Sequence, residues 1–232
     1  MSWATNSVGE ALGQLGDAVF RRCQDSSLPV DVRLVRTPVA LMFVRGDRAE
    51  PGASLAKQVV ASFGYWNAES AQYLDLVFFG WFNEGGGNVG FQSFDECRIF
   101  RECVAEIESM SKWRYSGETD VLLVDFEMPV TEAGVLGPGR FSFKHCIPLP
   151  VEEMIAGGRV RSLDAFVHEL VDTAKKVYDQ HPLQGTVFEV SDRIGWTRGR
   201  RALWDQLKQL LLRDWSRVYD ELQYFAVCDL RI

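Results

Sequence analysis

Four acidic residues stand where strands of a predicted sheet end, a pattern that suits a metal ion. Asp47 follows the first buried strand, Glu84 follows the second, and Asp125 and Glu127 lie late in the third. Asp125 and Glu127 are two residues apart and therefore face the same side of a strand. If these strands are parallel, their carboxyl ends meet at one edge of the sheet, where four carboxylates favour Mg²⁺ or Mn²⁺.

This set of carboxylates predicts the metal-dependent hydrolysis of a phosphoester, as in a phosphoesterase or nuclease. Lys144, on the next predicted strand, is the candidate for stabilising negative charge in that reaction. The simpler interpretation is structural, because polar residues commonly end strands where the chain returns to the solvent. The spacing alone leaves both interpretations open.

A second group of residues combines positive charge with an aromatic ring. Between positions 193 and 217 there are seven basic residues and two acidic ones, a local charge of +5. Thr197 is a candidate N-cap that places three arginines in the first turn of a helix, where cations face the positive end of the helix dipole and cost about 0.3–1 kcal/mol each. A bound anion or an acidic partner would offset that cost, and otherwise the segment is a solvated arginine-rich turn. The predicted anion- or partner-binding residues are Trp196, Arg198, Arg200 and Arg201.

Motifs for nucleotide binding or nucleophilic catalysis are either missing or lie in a sequence context that does not suit them. Residues 85–90 read G-x-G-x-x-G, but a capping box at Ser93 and Glu96 begins the next helix after the third glycine, so a surface loop is favoured. The sequence has no G-x-x-x-x-G-K-[ST] and no G-x-S-x-G, which excludes a P-loop NTPase and leaves no nucleophile elbow. His145 and Cys146 are neighbours on a predicted strand and point to opposite faces.

The spacing of cysteine and histidine does not favour zinc. The five cysteines contain no C-x-x-C pair, and the three histidines are not paired with one another at i+3 or i+4. We therefore expect buried reduced thiols, structural histidines and no cofactor.

Length and composition indicate an ordinary globular chain. The 232 residues carry a net charge of −7, with 47% hydrophobic and 25% charged residues, which excludes a wholly disordered, collagen-like or coiled-coil chain. No apolar run approaches the ~20 residues of a membrane helix, and the first sixteen residues lack the basic start and apolar centre of a signal peptide. We expect one domain spanning residues 1–232, a cytoplasmic location, and no membrane or nucleic-acid partner.

Hydrophobic periodicity predicts alternating helices and strands. Helical spacing of apolar residues predicts helices at about 7–22, 55–63, 93–110, 162–177 and 203–215. Alternating or continuous apolar runs predict strands at 30–34, 39–44, 74–82, 120–128, 141–144, 186–190 and 224–227. The predicted fold is α/β, a single three-layer domain with a mixed, mostly parallel sheet flanked by helices. The sheet is mixed because the loop at 131–140 is too short for a crossover helix, which makes the strand after it antiparallel.

Two functions from different classes fit these residues. The favoured hypothesis is a non-catalytic binding or regulatory module that acts through another protein, a second copy of itself or a small anionic ligand. Trp66, Trp81 and Phe82 are its further candidate contacts. The alternative is the Mg²⁺- or Mn²⁺-dependent phosphoesterase or nuclease built on the four carboxylates. The sequence leaves open whether the protein is an enzyme.

Overall fold

The computed structural model describes most of the chain up to Val190. The described residues are 1–25, 32–44, 52–85, 88–90, 95–131, 135–180, 182–187 and 189–190. Within them, the side chains of 25, 52–54, 82–85, 88, 90, 95–97 and 145 are not described. The predicted helix at 203–215 and the predicted strand at 224–227 lie outside these residues.

Five strands form the central sheet of the described chain, and helices accompany it. In chain order the strands are β1 (Ser2–Thr5), β2 (Leu34–Phe43), β3 (Asp75–Phe79), β4 (Phe82–Gly85), β5 (Asn88–Gly90), β6 (Asp120–Pro129) and β7 (Arg140–Pro150). The helices are α1 (Val8–Asp25), α2 (Gly52–Ser70), α3 (Asp95–Met110), α4 (Val151–Ala156) and α5 (Leu163–Tyr178). The central sheet has the order β1-β3-β2-β6-β7, and β4 pairs with β5 separately.

The strand directions make the sheet mixed. β3 lies between β1 and β2 and is parallel to both, whereas β6 is antiparallel to β2 and β7 is antiparallel to β6. The α/β class and the mixed sheet are confirmed, but the sheet is not mostly parallel, because the antiparallel ladders are the longer ones. Continuous apolar runs are typical of parallel strands. Here they arise because helices cover both faces of β2 and β6, and such burial suits an antiparallel pair equally well.

Apolar residues form two clusters on the two faces of the sheet. Side chains alternate between the faces along a strand, so Val39 and Leu41 of β2 join one cluster with α1 and α3. Ala40 and Met42 join the other cluster with α2, α4 and α5. These are the α1 face and the α5 face of the sheet. None of the helices among the described residues is both long enough and apolar enough to cross a membrane.

Local sequence signals explain several element boundaries. The predicted N-terminal helix is present as α1, and α5 begins where Ser162 Oγ accepts a hydrogen bond from Ala165 N at 3.1 Å. The antiparallel hairpin of β6 and β7 is also confirmed. β1, α4 and the hairpin of β4 and β5 have no counterpart in the sequence prediction, which favours a surface loop at 85–90.

The predicted strand at 186–190 is wrong, because a helical turn begins there. Thr186 Oγ1 accepts a hydrogen bond from Glu189 N at 3.3 Å, and Glu189 Oε2 accepts one from Thr186 N at 2.8 Å. This reciprocal pair is a capping box, and Val190 N donates to Thr186 O at 3.2 Å as in a helix. The T-x-x-E spacing is visible in the sequence, but the β-branched Thr186 and Val187 resemble a strand.

β2 continues through Pro38, where the sequence predicts a break between two strands. Arg36 N donates to Leu183 O at 2.9 Å, on the side of β2 away from β6. Because N–H groups alternate sides along a strand, the nitrogen of Pro38 lies on this same side, just before β3 begins its pairing at Val39. Proline has no N–H to donate, so the strand loses no ladder hydrogen bond at this gap.

A buried ion pair joins α1 to β3. Arg22 Nη2 lies 2.5 Å from Asp75 Oδ2, and both side chains are buried. Arg22 Nη1 also donates to Gln72 O at 2.9 Å. Burial on its own raises the pKa of Asp75, but the Arg22 guanidinium and the N-terminal ammonium outweigh it and hold that pKa below its ordinary value.

Replacing Arg22 by methionine leaves the buried Asp75 carboxylate with less positive charge beside it. We expect Arg22→Met to lower the free energy of unfolding by about 3 kcal/mol, as is typical when one partner of a buried pair is removed. Urea denaturation at pH 7 measures this change. Arg21→Met is the matched control, because Arg21 is exposed and its loss should cost no more than about 0.5 kcal/mol. Equal effects of the two substitutions would contradict a stabilising role for the pair.

Candidate functional site

A group of charged residues crosses three neighbouring strands at one end of the sheet. Glu127 on β6 stands opposite Arg36 on β2 and opposite Arg140 on β7. Arg36 Nη2 lies 2.8 Å from Glu127 Oε1, and Arg140 Nη2 lies 3.3 Å from Glu127 Oε2. Together with Asp125, these three residues form the polar cluster. Its central carboxylate is held between two guanidinium groups.

Asp125 is the most buried member of the polar cluster. It faces the same side of β6 as Glu127, as predicted from their spacing. Asp125 Oδ1 accepts a hydrogen bond from Val187 N at 2.7 Å, and Asp125 Oδ2 lies 4.0 Å from Arg36 Nε. The helical turn that follows Thr186 therefore donates a backbone N–H to the Asp125 carboxylate, and this is a charge-assisted hydrogen bond.

A narrow cleft adjoins the polar cluster on the β3 side of β2. It encloses about 220 Å³, including space open to solvent, and its walls include Arg36, Thr37, Tyr73, Tyr178 and Leu183. Thr37 Oγ1 is buried and has no hydrogen-bond partner among the described residues. Leu183 has a φ of +58°, a left-handed conformation that bulky side chains rarely adopt. The space inside it that a water-sized group could occupy is about 10 Å³, roughly enough for one water.

The structure places Asp125 and Glu127 away from the sheet edge at which the sequence predicts them. β6 is antiparallel to β2, so Asp125 and Glu127 lie at the amino end of β2. The carboxyl end of β2 is at Phe43, seven residues beyond Arg36, a distance of roughly 23 Å at about 3.3 Å per residue. The premise that the strands are parallel is correct for β2 and β3 but wrong for β6, and it was this premise that placed the four acids together.

The remaining predicted site residues are only partly described. Glu84 belongs to β4, but its side chain is not described, and Lys144 is exposed on β7. The positions that lie outside the described residues are Asp47, Trp196, Arg198, Arg200 and Arg201. Their roles stay predictions.

The tryptophans expected to contact a partner are part of the core. Trp66 and Trp81 are both fully buried on the α5 face. Trp66 Nε1 donates to Asp164 Oδ1 at 2.8 Å, and Trp81 Nε1 donates to Val44 O at 2.9 Å, so each indole N–H has its partner inside the fold. The expectation for these two residues is therefore wrong, and the side chain of Phe82 is not described.

Arg36 and Arg140 are the site residues that the sequence analysis missed. Arg140 is 13 residues from Glu127 and Arg36 is 91 residues from it. The predicted hairpin brings Arg140 near Glu127, but pairing the predicted strands outward from the loop sets Glu127 opposite Ser142, so the observed partner does not follow from it. Nothing local connects Arg36 to Glu127, since their contact depends on the register between β2 and β6.

A second buried acid lies at the opposite end of β6. Asp120 stands opposite Phe43 and accepts hydrogen bonds from Ser116 N at 2.9 Å and from Ser116 Oγ at 2.8 Å. Burial raises the pKa of Asp120 to about 6, and the nearby Glu153 and Glu118 carboxylates add to the rise. The hydrogen bonds from Ser116 act in the opposite direction without cancelling it.

The raised pKa of Asp120 makes stability depend on pH. The carboxyl ionises near pH 3.8 in the unfolded chain and near pH 6 in the folded protein, so stability is lost as the pH rises from about 4 to about 6. A shift of roughly two units corresponds to about 3 kcal/mol. Urea denaturation at pH 4 and pH 7 should show this loss in the wild type and a smaller loss in Asp120→Asn. Asp17→Asn, a change at an exposed acid of α1, is the control and should behave as the wild type. An unchanged pH dependence in Asp120→Asn would contradict the assignment.

Asp125→Ala distinguishes a structural carboxylate from a metal ligand. The substitution leaves the buried Val187 N–H without its acceptor, so we expect the free energy of unfolding to fall by about 2 kcal/mol. Thermal melting after chelation, with and without added Mn²⁺, measures the effect. If Asp125 is structural, any change in Tm that Mn²⁺ causes is the same in the variant and in the wild type. A stabilisation by Mn²⁺ that only the wild type shows would favour the metal site instead.

Comparison with known proteins adds no relative. The sequence matches no protein-family model and no curated protein, and no solved structure matches the chain. Function is therefore inferred from the geometry of the site.

Proposed function

We propose that this protein is a non-catalytic binding module for a small anionic ligand. The proposal depends mainly on one observation. The carboxylates of the polar cluster are buried and bind groups within the protein, whereas its guanidinium groups are exposed to solvent. Glu127 and Asp125 are buried, whereas the side chain of Arg36 is 31% exposed and that of Arg140 is 73% exposed. An anion that reaches this end of the sheet meets arginines, which bind phosphate and carboxylate groups through charge-assisted hydrogen bonds.

The cleft beside the polar cluster supports the same class of ligand. Arg36, whose guanidinium donates to Glu127, lines it. Lys175 Nζ lies 5.5 Å from the centroid of the Tyr73 ring at the cleft wall and adds a second cation nearby.

The described chain ends at Val190, near the polar cluster, and the predicted basic segment at 193–217 follows it in the sequence. Val190 is buried on the α5 face, one turn after the Val187 N–H that Asp125 accepts. Arg193 is three residues further along the chain, which is at most about 10 Å. Arg200 and Arg201 follow Val190 by ten and eleven residues, a chain length of at most about 40 Å, which permits them to reach the polar cluster. We propose that both groups serve one anion site, together with Trp196 and Arg198.

Binding is favoured over hydrolysis because the acids of the polar cluster already have partners and the Cys103 thiol is shielded. A metal ion at Asp125 and Glu127 would have to displace a backbone N–H and two guanidinium groups. Among the described cysteines, burial raises the pKa of the Cys103 thiol to about 12, so it stays protonated at neutral pH and is a poor nucleophile. The Mg²⁺- or Mn²⁺-dependent phosphoesterase is thus the less supported alternative.

We also propose that residues 1–232 form one three-layer domain. The two apolar clusters on the α1 face and the α5 face support a layer of helices on each side of the sheet. A protein partner would bind through the same chemistry if it presented acidic side chains to the arginines.

Charge reversal in the basic segment tests the proposal. We expect the wild type to bind inorganic phosphate or pyrophosphate in isothermal titration calorimetry. Arg200→Glu with Arg201→Glu should weaken that binding at least about tenfold, since each hydrogen bond to a charged group contributes about 1.5–3 kcal/mol. The melting temperature of the double variant should stay close to that of the wild type.

A second pair of arginines provides the matched control. Arg159 and Arg161 are exposed on the turn between α4 and α5, and reversing both changes the net charge by the same amount. We expect this control to bind the anion as the wild type does. Equal weakening in both double variants would show a nonspecific charge effect, and no binding of either anion by the wild type would reject a small anionic ligand. Both results would contradict the proposal.

A further inference from the structure

Three side chains of the kinds that bind transition metals meet on the surface between α2 and α5. His168 Nδ1 lies 2.5 Å from Glu69 Oε1, and His168 Nε2 lies 3.7 Å from Asp172 Oδ2. One nitrogen or oxygen atom from each of the three residues lies within 4.8 Å of the others. None of these residues belongs to the polar cluster.

The helices hold these side chains on a common face. His168 and Asp172 are four residues apart on α5, which places them one above the other. Glu69 comes from α2, and its helix is fixed against α5 one turn earlier, where Trp66 Nε1 donates to Asp164 Oδ1 at 2.8 Å. The three residues therefore come from two packed helices rather than from a loop, so their backbone positions are set before any ion binds.

A second observation, at Glu69, indicates that this group of side chains lacks a bound cation. Its side chain is 17% exposed, and its Oε1 already contacts His168 and accepts a hydrogen bond from Tyr65 Oη at 3.4 Å. Its second oxygen, Oε2, is buried and has no hydrogen-bond partner among the described residues. A buried carboxylate oxygen without a partner is unfavourable, and a bound cation would satisfy it.

We propose that Glu69, His168 and Asp172 form a Zn²⁺ site that joins α2 to α5. An imidazole nitrogen with two carboxylates suits Zn²⁺ and related first-row ions, whereas Mg²⁺ and Ca²⁺ prefer oxygen ligands alone. Three protein ligands leave a fourth position for water, as in zinc sites that are open to substrate.

Small side-chain movements complete the coordination. Ligand atoms about 2.0–2.1 Å from a tetrahedral Zn²⁺ lie about 3.3 Å apart, so the contact between Glu69 and His168 must lengthen. Asp172 faces the other ring nitrogen, so the imidazole or the carboxylate must turn to share one ion. Both side chains are about half exposed, at 52% and 55%, which leaves room for that rotation.

Titration of Zn²⁺ into the chelator-treated full-length chain tests the site. We expect one equivalent to bind in isothermal titration calorimetry, with binding weakened by about tenfold or more in His168→Ala, Asp172→Asn and Glu69→Gln. His181→Ala is the matched control at another histidine and should bind Zn²⁺ as the wild type does. Because His168 is half exposed, its variant should keep the wild-type circular dichroism spectrum.

Co²⁺ distinguishes this site from binding by cysteine. Co²⁺ in place of Zn²⁺ should give the weak absorption bands of nitrogen and oxygen ligands, without the intense thiolate-to-metal band that cysteine ligands produce. A thiolate band, full Zn²⁺ binding by His168→Ala, or no Zn²⁺ binding at millimolar concentration would each overturn the proposal. In the last case the three residues form only a hydrogen-bonded network. Anion binding by Arg200 and Arg201 does not depend on any of these outcomes.

Discussion

The antiparallel ladder between β2 and β6 is the constraint on which the rest of the structure depends. It pairs ten residues of each strand, from Leu34 opposite Pro129 to Phe43 opposite Asp120. Side chains of both strands alternate between the α1 face and the α5 face, so this one register assigns residues to both apolar clusters. It also places the two ends of β6 at opposite ends of β2. Glu127 and Asp120 therefore lie in two different environments.

The two ends of β6 show how neighbours decide the state of a buried acid. At one end, Glu127 lies between the guanidinium groups of Arg36 and Arg140, so its charge is compensated where it is buried. At the other end, Asp120 receives only hydrogen bonds from Ser116 and lies near further carboxylates, and its pKa rises to about 6. Both acids are buried, and they differ in their charged neighbours: guanidinium groups lie beside Glu127, and carboxylates lie near Asp120.

Structural features that depend on neighbouring residues could be predicted from the sequence, whereas features that depend on the register between distant strands could not. Periodicity located α1 and α5, because this signal lies within a few residues. The hairpin of β6 and β7 followed from a short loop. The direction of β6 relative to β2 did not follow, since a strand covered on both faces has the same apolar pattern in either direction. The predicted metal site depended on that direction, whereas Arg36 reaches Glu127 only through a register across 91 residues.

The polar cluster links the specificity of the fold to the proposed binding. A slip of one residue in the β2–β6 register would turn Glu127 and Asp125 toward the α1 face, among the apolar neighbours of Val124 and Phe126. Burying two carboxylates there without cations costs far more than the pairing in the observed register, so the charges select that register. The selection needs arginines at the strand positions beside Glu127, and their guanidinium groups reach the surface because they lie at the end of the sheet. The interaction that specifies the register therefore also supplies the positive charge that a small anion would meet.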